Sequence, residues 1–383
     1  MSSDARILIV GAGVGGLALA QALRRGGVDV TVYEQDPTPT IRNQGYRIHI
    51  DSNGNAALRT CLSAAVLDLV RRSSGHNGDL FAAYTHHLDQ VMVQTFPEIA
   101  DDDITCVDRN AFRHALLTGM ADDVHFGKRL AGYQLTDSGR VRVEFADGGG
   151  DEGDVLVGAD GVGSAVRRQL LPDATVRDLG LRCLYGRMTI TETTEPLIPQ
   201  DLHRGFSWVG DGDGCGAGFA PVRFRARPDG TADYLMTTLV ATPQRLGVAD
   251  ADLFAFSSEQ LWKLAVDTTA SWHSAIRELY AHADSGTFFP ITIRAAERLD
   301  AIPSGPVTLL GDAAHAMPPT GAAGANTALQ DAATLAGELL GAARGDKPFS
   351  EAVAAYERVM LPRGFAAVDD SLRMAGHLLG NAG

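Results

Sequence analysis

Close to the start of the chain, the unbroken apolar run Ile7-Leu8-Ile9-Val10 meets Gly11-Ala12-Gly13-Val14-Gly15-Gly16 and then Leu17-Ala18-Leu19-Ala20-Gln21-Ala22-Leu23. This pattern predicts a buried strand, a glycine turn and a helix. Residues 28–33, Val-Asp-Val-Thr-Val-Tyr, alternate as a second strand that ends at Glu34. Alternation returns over residues 45–50, Gly-Tyr-Arg-Ile-His-Ile, and gives way to a helical period over residues 53–69. A further helix is predicted over residues 107–117, with Asp108 or Asn110 as its N-cap. Strands are expected over residues 130–135 and 141–145, turned by Asp147-Gly148-Gly149-Gly150.

Between residues 181 and 240 the pattern changes. Strand-like stretches (186–191, 216–220 and 234–240) are separated by Gly, Pro and Asp turns, which predicts an inserted β-rich module rather than more βαβ units. Residues 258–283 read as helical. The last third returns to α/β, with a strand over residues 307–310 and helices beginning near Ala325, Ser350 and Val368. There are no internal repeats and no low-complexity linker.

Composition narrows the function classes. A chain of 383 residues exceeds one ordinary core, so a large nucleotide domain with a second module is expected. An apolar share of 45% with modest charge fits a soluble globular protein. The formal charge of −14 argues against nucleic acid and anionic membranes as partners, because both require basic patches. No apolar run approaches the roughly 20 residues that span a bilayer. The N-terminal apolar stretch breaks at once into glycines, unlike a signal peptide. Cys61, Cys106, Cys183 and Cys215 lie far apart without CxxC spacing. They read as reduced thiols of a cytoplasmic protein, and that spacing disfavours a redox-active disulfide.

Three motifs carry the chemistry. In the first, Gly11 permits the tight turn, Gly13 lets a phosphate approach the backbone and Gly16 lets helix and strand pack closely. Glu34, about 20 residues on, stands where an acid bonds a ribose hydroxyl, favouring FAD or NAD over NADP. The second motif runs from Asp154 through Val155-Leu156-Val157-Gly158-Ala159 into Asp160-Gly161, with Ser164 placed to start a helix that carries Arg167. An acid at the carboxyl end of a strand can accept from ribose or polyol hydroxyls. The third is Leu309-Leu310-Gly311-Asp312-Ala313-Ala314-His315-Ala316-Met317-Pro318-Pro319-Thr320-Gly321-Ala322-Ala323-Gly324-Ala325-Asn326. It reads as strand, acidic turn, proline-fixed loop and glycine-rich helix start. Such a helix end favours negative charge on a flat ligand.

In this order and at these separations, the three motifs resemble the class A flavoprotein aromatic hydroxylases. That family includes p-hydroxybenzoate and salicylate hydroxylases, tetracycline-inactivating monooxygenases and polyketide-tailoring oxygenases. The resemblance runs from Arg6 to about Leu340 and is weakest between Leu181 and Ala283. It implies an α/β fold, with a Rossmann-like FAD-binding domain, an inserted β-sheet substrate domain and C-terminal helices. The division it implies assigns residues 1–70, 101–180 and 286–345 to FAD binding, 71–100 and 181–285 to the substrate domain, and 346–383 to terminal helices. Gly11, Gly13, Val14, Gly15, Gly16, Glu34 and Gln35 would hold the ADP half of FAD. Arg109 would reach its pyrophosphate or adenosine side, with Arg47 and Leu130 also on the cofactor. Asp160 and Gly161 would serve FAD and the nicotinamide cofactor, Gly311 and Asp312 the ribityl chain, and Pro318, Gly321, Gly324, Ala325 and Asn326 the isoalloxazine. The Ala322-Ala323 pair departs from relatives that carry Gly or Gln there, and a small change of loop shape is expected.

The same resemblance implies that NAD(P)H reduces FAD, O2 forms a C4a-hydroperoxide, and the distal oxygen passes to an aromatic or polyketide-like small molecule by hydroxylation or epoxidation. Neither a catalytic triad nor a metal is expected. His86-His87 and Asp101-Asp102-Asp103 read as solvated loops rather than metal ligands. Substrate-pocket candidates are His49, Tyr185, Arg187, His203, Phe206, Trp208, Phe219, Pro319 and Met374, with core packing as the competing role of the aromatics. His315 reads as a structural, backbone-bonded histidine. A flavin dehydrogenase or halogenase and a non-catalytic flavin-binding protein stay open as alternatives. The halogenase alternative is weakened because Trp208, Trp262 and Trp272 form no Trp-x-Trp-x-Ile signature.

Overall fold

A computed structural model describes residues 5–39, 46–96, 99–100, 102–228 and 230–379. The expected strand start at Gly45 and the acidic residue Asp101 lie outside them. The first third contains β1 (Arg6–Val10), α1 (Val14–Arg25), β2 (Asp29–Glu34), β3 (Arg47–His49), α2 (Ser52–Cys61), α3 (Ala64–Arg72), β4 (Leu80–Thr85), β5 (Gln90–Thr95), β6 (Cys106–Asp108) and α4 (Arg109–Leu116). Then come β7 (Val124–Phe126), β8 (Leu130–Leu135), β9 (Val141–Phe145), β10 (Gly150–Gly153), β11 (Val155–Gly158), α5 (Ala165–Leu170), β12 (Val176–Thr189), β13 (Gly205–Gly210), β14 (Cys215–Val222) and β15 (Tyr234–Ala241). The remainder holds α6 (Pro243–Leu246), α7 (Asp250–Leu253), α8 (Ser258–Thr268), α9 (Ser274–Ala281), β16 (Phe289–Ala296), β17 (Val307–Leu309), α10 (Asp312–His315), α11 (Gly324–Ala343) and α12 (Phe349–Leu379).

Two sheets organise these elements. The first is five-stranded and parallel, in the order β17-β11-β1-β2-β7. Its central strands are apolar on both faces, as a sheet covered on both sides requires; Ile7, Leu8, Ile9 and residues 155–157 are completely buried. The second has seven strands, in the order β16-β12-β15-β14-β13-β4-β5. It is antiparallel except where β13 meets β4. Strand alternation gives this sheet two different faces. Leu184, Ala217, Phe219, Leu235 and Leu239 pack with Trp272, Ile276, Leu279 and Tyr280, in the segment that contains α8 and α9. Cys183, Tyr185, Trp208, Tyr234, Met236 and Ile293 form a separate cluster with Tyr46 and the end of α12.

Several expected elements change shape for local reasons. The helix expected over residues 53–69 is two helices, because Leu62 is extended and Ser63 accepts from the Val66 N–H to cap the second. The helix expected from residue 107 starts at Arg109, since residues 106–108 pair with β3. Asp108 is its cap and accepts from the Asn110 and Ala111 N–H groups. The turn at Asp147–Gly150 joins β9 to β10 rather than β8 to β9. The helical stretch over 258–283 is divided, with Ser257 and Gln260 forming a capping box and His273 capping α9. No new helix starts at Val368; α12 continues through Pro362. The large sheet also takes in β16, which the expected boundary at residue 285 leaves out.

One buried carboxyl gives this fold a pH dependence. Glu357 on α12 is 7% exposed and accepts from the Thr308 hydroxyl on β17 at 2.8 Å. Burial pushes its pKa from 4.5 up to about 7, and the Thr308 bond offsets only part of that rise. The folded chain therefore binds more protons than the unfolded chain between about pH 4.5 and 7, so this group's contribution to stability falls as pH rises through that window. Glu357→Gln keeps the acceptor for Thr308 and is expected to stabilise the protein by roughly 1–3 kcal/mol at pH 8, with little change near pH 4.5. Thermal unfolding at the two pH values checks this; an equal shift at both would refute it.

Candidate functional site

The parallel register brings the three motifs to one edge. Val10 pairs with Gly158 and Tyr33, and Gly158 pairs with Leu309. The chain therefore leaves β1, β2, β11 and β17 at the same carboxyl end, where ligands of open α/β sheets bind. Glu34 ends β2, and Gly11, Asp160 and Asp312 lie within three residues of the ends of β1, β11 and β17.

The first glycine turn is set by contacts that exclude side chains. Gly11 has φ +111°, and a Cβ there would lie 2.2 Å from the Ala159 carbonyl oxygen. A Cβ on Gly16 would lie 2.2 Å from the Gly11 carbonyl oxygen, and one on Gly15 would lie 2.4 Å from a Leu310 methyl. Gly13 differs: the space its Cβ would enter is open, which is the room a phosphate needs to reach the backbone. Glu34 is buried and accepts from the Ala12 and Asp36 N–H groups, each at 2.9 Å. Gln35 is exposed, Val14 half-buried, and Leu130 is part of the nucleotide-domain core. Sequence reasoning missed Arg113. Its guanidinium is buried, donates to the Ala12 and Pro39 carbonyls at 2.9 Å each, and lies 3.4 Å from Glu34. Its position four residues after Arg109, one helical turn on, is the signal that could have found it.

At the strand ends on the other side, Asp160 accepts from the Ala165 N–H at 2.6 Å, while its Oδ1 is buried without a hydrogen-bond partner among the described residues. Gly161 follows with φ +73°. Ser164 caps α5, and Arg167 donates to the Ala313 carbonyl at 2.9 Å, tying the second motif to the third. Asp312 lies deep in the molecule but retains open surface, as a group on a cleft wall does. Burial raises its pKa, and His315 and Arg109 hold part of that rise back. Its Oδ1 comes within 3.8 Å of where a Cβ on Gly324 would stand, so the acid and the start of α11 adjoin.

Arg109 and Arg47 approach from α4 and β3. Arg109 sits over the Tyr46 ring at 5.6 Å. Its Nη1 and the Nε of Arg47 are buried without a partner among the described residues. Buried donors and acceptors without partners are costly, so three of them at Arg47, Arg109 and Asp160 fit a polar ligand carrying both anionic and hydroxyl groups. Broad depressions of about 450 and 400 Å³ lie elsewhere, against residues 142–152 and between residues 170–175 and 297–303. Neither is lined by residues of the three motifs.

The late loop places its residues unevenly. Pro318 is buried, while Pro319 and Gly321 are exposed in a 3-10 turn. Ala322 has φ +50°, a conformation in which a glycine would avoid the cost of roughly 1 kcal/mol. Ala325 is half-buried. Asn326 is buried, and its amide donates to the His49 and Ala322 carbonyls and accepts from the Asp51 N–H, all within 3.1 Å. Its side chain therefore staples β3 to α11, and only its backbone is left to meet a ligand. His49 bonds the Thr105 carbonyl at 3.0 Å, and burial followed by the Arg47 charge lowers its pKa. His315 is held through its ring by a carboxylate: Nε2 meets Asp331 Oδ2 at 2.6 Å, both residues fully buried.

Among the pocket candidates, Tyr185, Arg187, Phe206 and Trp208 share the large-sheet face that carries Tyr46. Tyr46 stands 4.8 Å from Tyr185, which stacks on Phe289 at 5.5 Å. Phe206 stacks on Phe81 at 5.8 Å. Arg187 sits over Tyr234 at 5.5 Å, and the buried Tyr234 hydroxyl donates to Asp108 at 3.0 Å, linking the large sheet to the β3–β6 pair. Burial and Asp108 keep that phenol protonated. Trp208 is 5% exposed and bonds the Leu378 carbonyl, while Met374 is exposed on α12. Phe219 and His203 do not join this face. Alternation turns Phe219 onto Tyr280, and His203 is held by the Ile198 carbonyl and by Arg223, which is one residue out of phase with Val222 and Phe224.

The model of the FAD binding domain family matches residues 4–180 and 262–371. The chain is 34% identical over 94% of its length to the dual O-methyltransferase/FAD-dependent monooxygenase CTB3 of Cercospora beticola, and spans about half of that protein, 45%. It is 30% identical to 3-amino-4-hydroxybenzoate 2-monooxygenase of Streptomyces cremeus, covering 94% of the chain and 84% of that enzyme. Among solved structures, a candidate FAD-containing monooxygenase from Photorhabdus luminescens superposes with a TM-score of 0.85 at 30% identity, covering 98% of this chain and 99% of the other.

Proposed function

The chain belongs to the FAD-binding-domain family of FAD-dependent monooxygenases of the aromatic hydroxylase type, and from that premise we propose that it uses NAD(P)H and O2 to hydroxylate a small aromatic or polyketide-like molecule. The observation that carries the reading is the convergence of Gly11, Glu34, Asp160 and Asp312 on one sheet edge. A flavin bound there would supply the hydride-accepting and oxygen-activating chemistry. The chain's own part is to bind, orient and keep water out.

In this reading Arg113 fixes the Ala12 carbonyl while Glu34 fixes the Ala12 N–H, so the glycine turn meets the pyrophosphate preformed. Open space above Gly13 admits the phosphates. Arg47 and Arg109 bring unpaired donors to their charge. Asp160 would accept from hydroxyls of FAD or of the nicotinamide cofactor's ribose, and Asp312 from hydroxyls of the ribityl chain. The start of α11 offers backbone N–H groups to the isoalloxazine edge where negative charge gathers on reduction.

Substrate would lie against the face bearing Tyr46, Tyr185 and Phe289, whose stacked rings exclude water and match a planar molecule. Arg187 adds a cation to that face, which suits a carboxylate or phenolate, and the aminohydroxybenzoate named for one relative has both groups.

FAD-loaded protein is expected to oxidise NAD(P)H with O2 uptake, faster when an accepted member of a panel of hydroxybenzoates, phenols and polyketides is present. A hydroxylated product identified by mass spectrometry would complete the assignment. Bleaching of the flavin by NAD(P)H with no O2-dependent product across the panel would overturn hydroxylation in favour of dehydrogenation.

A further inference from the structure

Beneath the Gly311–Asp312 turn, three helices meet in a buried polar chain. Asp331 of α11 is completely buried. Its Oδ2 accepts from the Gly311 N–H at 3.1 Å and meets His315 Nε2 of α10 at 2.6 Å, while its Oδ1 accepts from Arg363 of α12 at 2.8 Å. One carboxylate thus holds the residue immediately before Asp312, the end of the short helix that Asp312 starts, and the long terminal helix. The chain has room made for it. A Cβ on Gly364 would lie 2.4 Å from the His315 ring, so the helix that supplies Arg363 carries a glycine where the imidazole enters.

Left uncompensated, the buried Asp331 carboxylate would be strongly destabilising. Its charge is met instead by His315 and Arg363. Burial opposes a proton on His315, but the Asp331 carboxylate outweighs it and raises the imidazole's pKa; His315 and Arg363 in turn hold Asp331 low against its burial. Asp312 also faces this imidazole, and Arg109 acts on Asp312 from the other side. Gly311 itself has φ +62° and ψ −139°, a conformation open to glycine. It needs an external bond to stay in one orientation, and Asp331 supplies that bond.

We propose that the Arg363–Asp331–His315 chain is a positioning device that locks Gly311 and so aims the Asp312 carboxylate at the cofactor's ribityl side. It acts through Asp312 and touches no reacting atom. The proposal rests on the reading of Asp312 as a cofactor residue. Its consequence is that loosening α12, far along the chain, releases FAD.

The test is the rate of FAD release from holoenzyme, followed by the rise in flavin fluorescence. His315→Leu, which removes the donor to Asp331, is expected to speed release about 10-fold. His315→Gln, which restores a side-chain N–H, should stay within about 3-fold of the parent. Arg363→Gln, at a side chain 25% exposed and therefore tolerant of replacement, should give an intermediate increase. That increase should vanish when combined with Asp312→Asn, because the device then has nothing to aim. Equal release from the Leu and Gln variants, or an Arg363→Gln effect that adds in full to Asp312→Asn, overturns the positioning role. Unchanged release by Asp312→Asn alone overturns the cofactor reading itself.

Discussion

Gly11→Ala is expected to give a protein destabilised by roughly 3 kcal/mol or more that is recovered without FAD. Two independent costs meet at this position. The backbone has φ +111°, where a side chain is strained whatever space surrounds it. The added methyl would also lie 2.2 Å from the Ala159 oxygen and 2.5 Å from its carbonyl carbon. Backbone atoms of β11's exit cannot swing aside as a flexible side chain can, so the strand ends must part. The Gly11 N–H bonds the Tyr33 carbonyl at 2.7 Å, and any displacement therefore reaches β2 and Glu34 as well. Gly13→Ala is the control. Its Cβ meets no protein atom, so stability should hold within about 0.5 kcal/mol while FAD affinity falls. Chemical denaturation and flavin content measured on both variants check the pair. Equal stability losses would refute the division of labour between packing and ligand room.

Asp312→Ala is expected to weaken FAD binding by about 100-fold with little loss of fold stability. The carboxylate bonds no described protein group, yet it stands deep in the molecule with its surface open to the groove. Removing it therefore deletes acceptors for the ligand and leaves no protein donor orphaned. Two hydrogen bonds from hydroxyls to a charged acceptor are worth roughly 1.5 kcal/mol each, which sets the expected factor. Flavin retained on the column after extended washing, at parent occupancy, would remove Asp312 from the site.

Strands β1, β2, β11 and β17 of the first sheet were readable from pattern because they are short, largely apolar and bounded by turn residues, so strand, turn and helix follow from local rules. By contrast β7, a three-residue edge strand on β2, carries too short a pattern to be read. Asp108 as the cap of α4 and Ser164 as the cap of α5 were readable for the same reason. What escaped was set by partners distant in sequence. Arg113 looks like one more surface arginine until β1's turn and Glu34 close around it. Asp331 looks like an exposed acid on a helix until His315 and Arg363 arrive from two other helices. Phe219 and His203 were placed in the pocket because aromatic type gives no indication of which face of a sheet a residue occupies; a one-residue change of phase decides it. A separate helix was expected from Val368, yet packing of Met360, Gly364 and Phe365 along one buried side carries a single helix through Pro362 and past that point.

The bond from Tyr234 to Asp108 acts as a rivet between two plates. One end is on the plate proposed to cradle the substrate; the other is the cap from which Arg109 departs. Sliding one plate past the other by an atom's width would leave the buried Tyr234 hydroxyl without its acceptor. The plates are thus bound to shift together, and crowding on the aromatic side arrives at the nucleotide side as a mechanical load through that oxygen–oxygen link and the backbone bonds beside it, from the Gly75 N–H to Cys106 and from the His76 N–H to Arg223.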